Sequence, residues 1–291
     1  MVKKYGELYL WARKELLETE GERAAMVARE LLASASGKTV ERVMANRELY
    51  ASEAVDTRLQ ELVERAKQGE PLPYLIGQWD FHGMTLTVTP DVLIPRDDTE
   101  AVVELALQTA KLKLPPAPRI LDLCTGSGCI GLAIASEVAD ARVTLGDLSQ
   151  QALQVAKLNT QNLSMTGRVK TMRVDAMQPV SAFLGQFDLI VSNPPYVTTG
   201  EMEELDASVK DYEPAMALHG GDDGLDFYRA IVKNFRPALK TGGYIAFEFG
   251  MNQHEAVCQL LRESQFEILE LKKDLGGIIR AVLARDTREE D

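Results

Sequence analysis

Leu121-Asp122-Leu123-Cys124-Thr125-Gly126-Ser127-Gly128-Cys129-Ile130-Gly131 decides the fold. An apolar run gives way to a loop with two glycines, and a third glycine follows inside the next predicted helix. This is the pattern of a strand that turns around a ligand into a helix. Gly126, Gly128 and Gly131 satisfy G-x-G-x-x-G, and Asp147 stands about 20 residues on, at the end of the next predicted strand. Outward from this point strands and helices alternate. The strands are predicted at 119–124, 141–147, 169–175, 187–193, 243–249, 266–272 and 278–285, and the helices at 129–138, 149–160, 225–238 and 252–264. Alternation of this kind implies a parallel α/β sheet with its ligand at the carboxyl ends of the strands. The last two strands follow each other without a helix, so they are expected to be antiparallel neighbours. The result is a seven-stranded, Rossmann-like sheet.

The N-terminal part reads differently. Leu8, Trp11 and Leu16, then Val27, Ala28, Leu31 and Leu32, then Val55, Leu59, Leu62, Val63 and Ala66 recur at helical spacing, with Ser52 as an N-cap and Gly69 and Pro71 as a stop. Met84, Leu86 and Val88 alternate with threonines, and His82-Gly83 supplies a turn, which predicts a β-hairpin. We expect a helical bundle over 1–72, a hairpin linker over 73–95 and the α/β domain over 96–291. The stretch Arg285–Asp291 is expected to be a frayed tail.

Composition narrows the function. With 45% hydrophobic and 26% charged residues, the chain is that of an ordinary globular protein. It has no run of 18 apolar residues, and the segment after Met1 lacks a signal-peptide core, so the expectation is a cytoplasmic protein without a membrane partner. Cys124, Cys129 and Cys258 offer neither a disulfide framework nor a metal-ligand pattern, and His82, His219 and His254 are scattered. Net charge is −12, and residues 1–70 hold 12 Lys/Arg against 13 Asp/Glu, so nearly all the excess lies in the α/β part. That acidity repels phosphate at long range and argues against nucleic acid as a direct partner.

G-x-G-x-x-G alone also fits a dinucleotide, and Asp122 separates the two cases. A carboxylate just before the loop would repel a pyrophosphate. S-adenosylmethionine instead carries an ammonium and a sulfonium, and a charge-assisted hydrogen bond to it contributes about 1.5–3 kcal/mol. Asp147 is placed to accept from ribose hydroxyls, and Asp175, ending the third strand, from the adenine amino group. The plainer reading is that Asp122 and Asp175 cap local turns.

Asn193-Pro194-Pro195-Tyr196 ends the strand Phe187–Ser192. Neither proline has an N–H to extend the sheet, and both fix φ near −65°. The carbonyls of Asn193 and Pro194 and the side-chain oxygen of Asn193 are left to accept, with the Tyr196 ring beside them. Acceptors and a flat face suit a planar –NH2 group, so methyl transfer to a conjugated nitrogen follows. Either the carboxamide of glutamine or the exocyclic amine of adenine or cytosine meets that description. The bland alternatives are a strand-ending turn for Asn193, a core position for Tyr196, a surface ion pair for Arg96, a buried carboxylate without ligand for Glu248, and a solvated flap for Glu201–Asp206.

Together with these two motifs, Pro71-Leu72-Pro73-Tyr74-Leu75-Ile76-Gly77, Leu93-Ile94-Pro95-Arg96-Asp97-Asp98-Thr99-Glu100, Ala217–Leu225, Phe247-Glu248-Phe249-Gly250 and Lys273–Arg280 resemble the HemK/PrmC family, the peptide chain release factor glutamine N5-methyltransferases. The resemblance covers roughly residues 70–285. It implies S-adenosylmethionine as cofactor, release factors as protein substrates, methylation of the glutamine of a Gly-Gly-Gln loop, and a helical N-terminal domain that contacts the substrate. By position it implies that Cys124, Thr125, Gly126, Ser127, Gly128, Asp147 and Asn193 line the cofactor, and that Asn193, Pro194, Pro195 and Tyr196 hold the glutamine. A glutamine of a ribosomal protein is the nearest alternative acceptor; a nicotinamide enzyme and a non-catalytic adaptor are the alternatives of other classes. Two positions depart from the family pattern. Cys124 stands where a glycine is expected, which the loop tolerates if φ there is negative, and Asp97 stands where a proline is expected, which would loosen the turn presenting Arg96.

Overall fold

The computed structural model describes residues 2–289. It divides into two units, one running to Gln78 and including Asp206–Tyr212, the other comprising Trp79–Leu205 and the chain from Glu213 onward. The first unit holds α1 (Tyr5–Glu15), α2 (Leu17–Glu20), α3 (Ala24–Ser36), α4 (Val40–Ala45), α5 (Glu53–Lys67) and α6 (Leu72–Ile76). Leu8, Leu16, Leu31, Leu32, Leu59 and Leu62, the residues that gave the helical periodicity, are fully buried in its core. Ser52 caps α5 as expected, its side chain accepting from the Val55 N–H. One element was not foreseen. Pro71 does not simply end a helix but precedes the short α6, where Pro73 sits in the first turn and lacks only an N–H that no carbonyl needs.

In the second unit β1 (Gln78–Phe81) and β2 (Met84–Thr87) form the expected hairpin, with Met84 and Leu86 buried and Thr85 exposed. There follow α7 (Glu100–Leu112), β3 (Arg119–Leu123), α8 (Cys129–Glu137), β4 (Arg142–Asp147), α9 (Gln150–Asn162), β5 (Val169–Arg173), β6 (Phe187–Ser192) and α10 (Glu201–Glu204). After α11 (Ala207–Lys210), which belongs to the first unit, come α12 (Asp226–Phe235), β7 (Leu239–Glu248), α13 (His254–Glu263), β8 (Phe266–Lys273) and β9 (Ile279–Asp286). The sheet has seven strands in the order β5-β4-β3-β6-β7-β9-β8. The first five are parallel, and β9 lies antiparallel between β7 and β8. Every residue of β6 is buried, as a strand covered on both faces requires. Apolar cores fill both faces of the sheet.

This order makes the site. From β3 the chain goes to β4 on one side and later to β6 on the other, so a crevice opens at the carboxyl ends of β3 where the winding reverses. Leu123 is level with Gly146 on one neighbour and with Ser192 on the other. The glycine loop, Asp147 and Asn193 therefore meet at one edge. The predicted tail begins later than expected: Arg285 and Asp286 are still in β9, and Asp286 is buried against the Arg236 guanidinium at 2.7 Å. Residues 290 and 291 of that stretch lie outside the described residues.

The third glycine of the loop motif explains how close α8 comes to the sheet. A Cβ at Gly131 would lie 2.3 Å from Leu145 Cδ2 and 3.0 Å from Asp122 Oδ2. Gly131→Ala must displace the buried Leu145 side chain or the helix itself, at a cost of about 1–3 kcal/mol. Chemical denaturation should show that loss of stability, with the far-ultraviolet circular dichroism unchanged.

Candidate active site

A cleft opens at the switch point, where a doubly wound sheet takes its ligand. Its walls include Cys124–Ser127 of the glycine loop, Asp147 and Ser149 after β4, Asp175 after β5, and Asn193 and Pro195 after β6. Further parts of the wall come from Asp91–Leu93, Arg96 and Thr99 and from Pro214, Met216, Ala217 and Phe227. Of the residues singled out from sequence, Asp122, Gly128, Pro194 and Tyr196 do not line it.

Asp122 is fully buried behind the loop, where its Oδ2 accepts from Thr125 Oγ1 (2.5 Å) and from the Gly131 N–H (2.9 Å), while Oδ1 has no partner. It shapes the loop from behind, whereas the sequence placed its charge beside the ligand. Burial raises its pKa to about 7, against the pull of those two donors. Asp147 does face the cleft. Its Oδ2 accepts from the Gly126 N–H and its Oδ1 from the Ser149 N–H, both at 2.9 Å, which fixes the carboxylate and leaves further lone pairs on each oxygen. Asp175 accepts from the Met177 N–H at 2.9 Å, so its turn-capping role and its place on the wall coexist.

Cys124 corrects the expectation of a negative φ. Its φ is +57°, in the left-handed region that favours the glycine expected there. The loop keeps the shape glycine would give it, at the expense of a strained cysteine whose thiol burial holds in the neutral form. Asp97 likewise does not loosen its turn. It opens a one-turn helix, Asp97–Thr99, and Arg96 pairs with the buried Glu213, whose Oε2 also accepts from the Ile94 N–H at 3.1 Å. Arg96 thus makes the ion pair of the plainer reading and still lines the cleft.

The Asn193–Tyr196 turn is held on all sides. Ser192 Oγ donates to the Leu123 carbonyl (2.7 Å), and Gln253 Nε2 to the Tyr196 carbonyl (3.0 Å). Val197 donates to Leu218 and Gly220 donates back to Val197, both at 2.8 Å, closing a neck beneath residues 198–218. Tyr196 is half-buried against the core beside Arg96, Asp98 and Arg280, so its ring packs as the core reading allowed. Glu248 is buried next to Asn193 and Thr99, with its pKa raised to about 7 by burial.

Asn159 was missed from sequence. Wholly buried on α9, it accepts from the Thr87 N–H (2.7 Å) and donates to the carbonyls of Thr87 (3.0 Å) and Ser127 (2.9 Å), tying the hairpin to the glycine loop. The available signal was a lone amide at helical spacing from Ala152, Val155 and Ala156. Among the described residues no helix is long and apolar enough to cross a membrane.

Comparison with known proteins bears on this geometry. Residues 7–77 match the PrmC N-terminal domain family and residues 100–209 the Methyltransferase small domain family. A release factor glutamine methyltransferase of Clostridium acetobutylicum is 38% identical over 83% of this chain and 84% of its own. One from Geobacter sulfurreducens is 37% identical over 94% of both chains. The crystal structure of a methyltransferase from Pyrococcus furiosus shares the fold, with a TM-score of 0.51 at 16% identity over 71% of this chain and 90% of that one.

Two outcomes follow from the loop. Cys124→Gly should be tolerated within about 1 kcal/mol, whereas the β-branched Cys124→Val should lose about 2 kcal/mol or more in thermal unfolding. For Asp122, an unfolded-chain carboxyl ionises near pH 3.9 and the folded one near 7. Between those values the folded form keeps a proton that the unfolded chain releases, so its stability falls as pH rises. Asp122→Asn should flatten that fall between about pH 4 and 7, by at most about 4 kcal/mol in denaturant titrations.

Proposed function

The chain belongs to the release factor glutamine methyltransferases and is thereby an S-adenosylmethionine-dependent protein-glutamine methyltransferase; we propose that its acceptor is the side-chain amide nitrogen of the glutamine in the Gly-Gly-Gln loop of peptide chain release factors. The observation that carries this reading is that Asn193 shares one cleft with the glycine loop and Asp147. A planar-amine acceptor site thus lies within reach of a cofactor site.

The residues present suit S-adenosylmethionine, which when bound supplies an electrophilic methyl group. Asp147, held by two backbone donors, accepts from the ribose hydroxyls, and Asp175 lies on the same wall for the adenine amine. Thr125, Gly126 and Ser127 offer the loop that approaches the cofactor, with Cys124 beside them and Gly128 behind. Asp122 acts through the loop it shapes.

On the acceptor side, Asn193 Oδ1 takes one N–H of the glutamine amide from the cleft wall, and the Pro194 carbonyl, although Pro194 is not part of that wall, is the acceptor assigned to the second. This turns its nitrogen toward the cofactor side of the cleft, with Pro195 and the Tyr196 ring supporting the turn. An amide nitrogen is a weak nucleophile because its lone pair is conjugated. As it takes the methyl group it becomes positive and both hydrogen bonds strengthen, so they stabilise the transition state more than the ground state. Alignment supplies much of the rest. The cationic product nitrogen loses its extra proton readily, so no strong base is required. The helical unit over 1–72 is assigned to contact with the protein substrate, and the cytoplasm, where release factors work, is the assigned location.

Mass spectrometry of purified release factor after incubation with S-adenosylmethionine should show one added methyl group on that glutamine; label on ribosomal protein or nucleic acid instead would overturn the reading. Asn193→Ala should lower kcat about 10²-fold while calorimetric affinity for S-adenosylmethionine stays within several-fold.

A further inference from the structure

An asparagine can accept from the target amide only if its oxygen, and not its nitrogen, faces the cleft. The two ends of an asparagine amide have nearly the same shape, so the groups behind it decide which way it points. Behind Asn193 stand Thr99 and Glu248. Asn193 Nδ2 donates to Thr99 Oγ1 at 3.5 Å, and the Glu248 carboxylate lies beside both side chains, near enough for each to favour its ionised form. Asn193 and Thr99 line the cleft and Glu248 does not; it is 2% exposed and lies one layer back.

We propose that Glu248 is a positioning residue, an acceptor-only anion that holds the Asn193 Nδ2 and so presents the Asn193 Oδ1 to the target amide. This rests on the assignment of Asn193 to the glutamine amide. An ionised carboxylate has no proton to give, so with Thr99 spending its hydroxyl hydrogen on that carboxylate, both neighbours of Asn193 call for a donor. A protonated Glu248 could instead donate to Oδ1. Asn193 would then flip and point an –NH2 at the –NH2 it must bind. One oxygen of Glu248, Oε2, has no partner at all. A buried, half-satisfied carboxylate is costly to a fold, and its placement against the amide gives it work that a methionine could not do.

The groups around Glu248 come from several elements. Asp98 on the turn after Pro95 disfavours its charge, while Arg280 on β9 favours it; Arg280 is itself held at 3.0 Å by both Asp98 and Asp274. The neutral Tyr196 phenol and Cys129 thiol also face it, and its charge raises the pKa of both. Tyr228 Oη donates to the Glu248 backbone carbonyl at 2.8 Å and fixes the strand end. Burial leaves Glu248 titrating at about 7. The acceptor-only form, and with it kcat, should rise with pH through that value.

Glu248→Gln keeps the shape and lets residue 248 donate. With release factor as substrate, kcat should fall about 10-fold or more and the rise of kcat with pH near 7 should vanish. Calorimetric affinity for S-adenosylmethionine should stay within about two-fold, and the thermal midpoint should not fall. Thr99→Val, which removes the other acceptor but leaves the anion, should lower kcat less and keep the pH dependence. Wild-type kcat in Glu248→Gln, or a lowered thermal midpoint with the wild-type pH profile retained, would overturn the proposal, the second outcome marking a purely structural carboxylate. Asn193→Ala separates the two levels: if it also turns over at the wild-type rate, the assignment of Asn193 fails first. If only Asn193→Ala is impaired, the role of Glu248 alone fails.

Discussion

Asp122 is the point on which the cofactor end of the molecule hangs. Its carboxylate sits in the middle of the sheet, out of water, and accepts from the residue that begins the glycine turn and from the residue that packs α8 on β4. Loop and helix are thereby set by one group, and the cleft takes its shape from that setting. The charge that the sequence seemed to offer the ligand is instead used on the backbone. Buried carboxylates of this kind are tolerable only while their partners stay in place, so the loop is a rigid element and not a flexible one.

A second layer of polar groups repeats the principle around the rest of the cleft. Asn159 ties β2 to Ser127, Glu213 ties Arg96 to Ile94, and Ser192 ties the end of β6 to β3. None of these side chains needs to touch a ligand. Each fixes a wall residue or the strand end that carries one from outside the cleft, and each joins segments far apart in sequence. The catalytic surface is therefore loops, but loops whose backbones are fastened at both ends to buried side chains.

That layer marks the limit of what could be read from the chain. Strand–helix alternation, the glycine spacing and the two prolines after Ser192 are local signals, and they placed seven strands and the cleft correctly. Asp147 and Asn193 were legible because each ends a strand at the switch point, where strand order alone puts them on the rim. Asn159, Thr99 and Glu213 were not, because their partners lie 72, 94 and 119 residues away; helical spacing hints at the burial of Asn159 but not at what it binds. Cys124 shows the converse: the residue type suggested a negative φ, and the backbone hydrogen bonds of the turn overrode it.

The neck formed by Val197, Leu218 and Gly220 has a further consequence. It closes the excursion of residues 198–218 just after the acceptor turn, so the geometry of Asn193 does not depend on how long that excursion is. Loop-closure entropy grows slowly, by about 0.6 kcal/mol for each doubling of length. So long as residues 213–217 keep their place on the cleft wall and Glu213 still reaches Arg96, the residues just after the neck, 198–205, can change in number or charge without altering that turn. That part of the excursion is in that sense replaceable, free to vary without any change in chemistry.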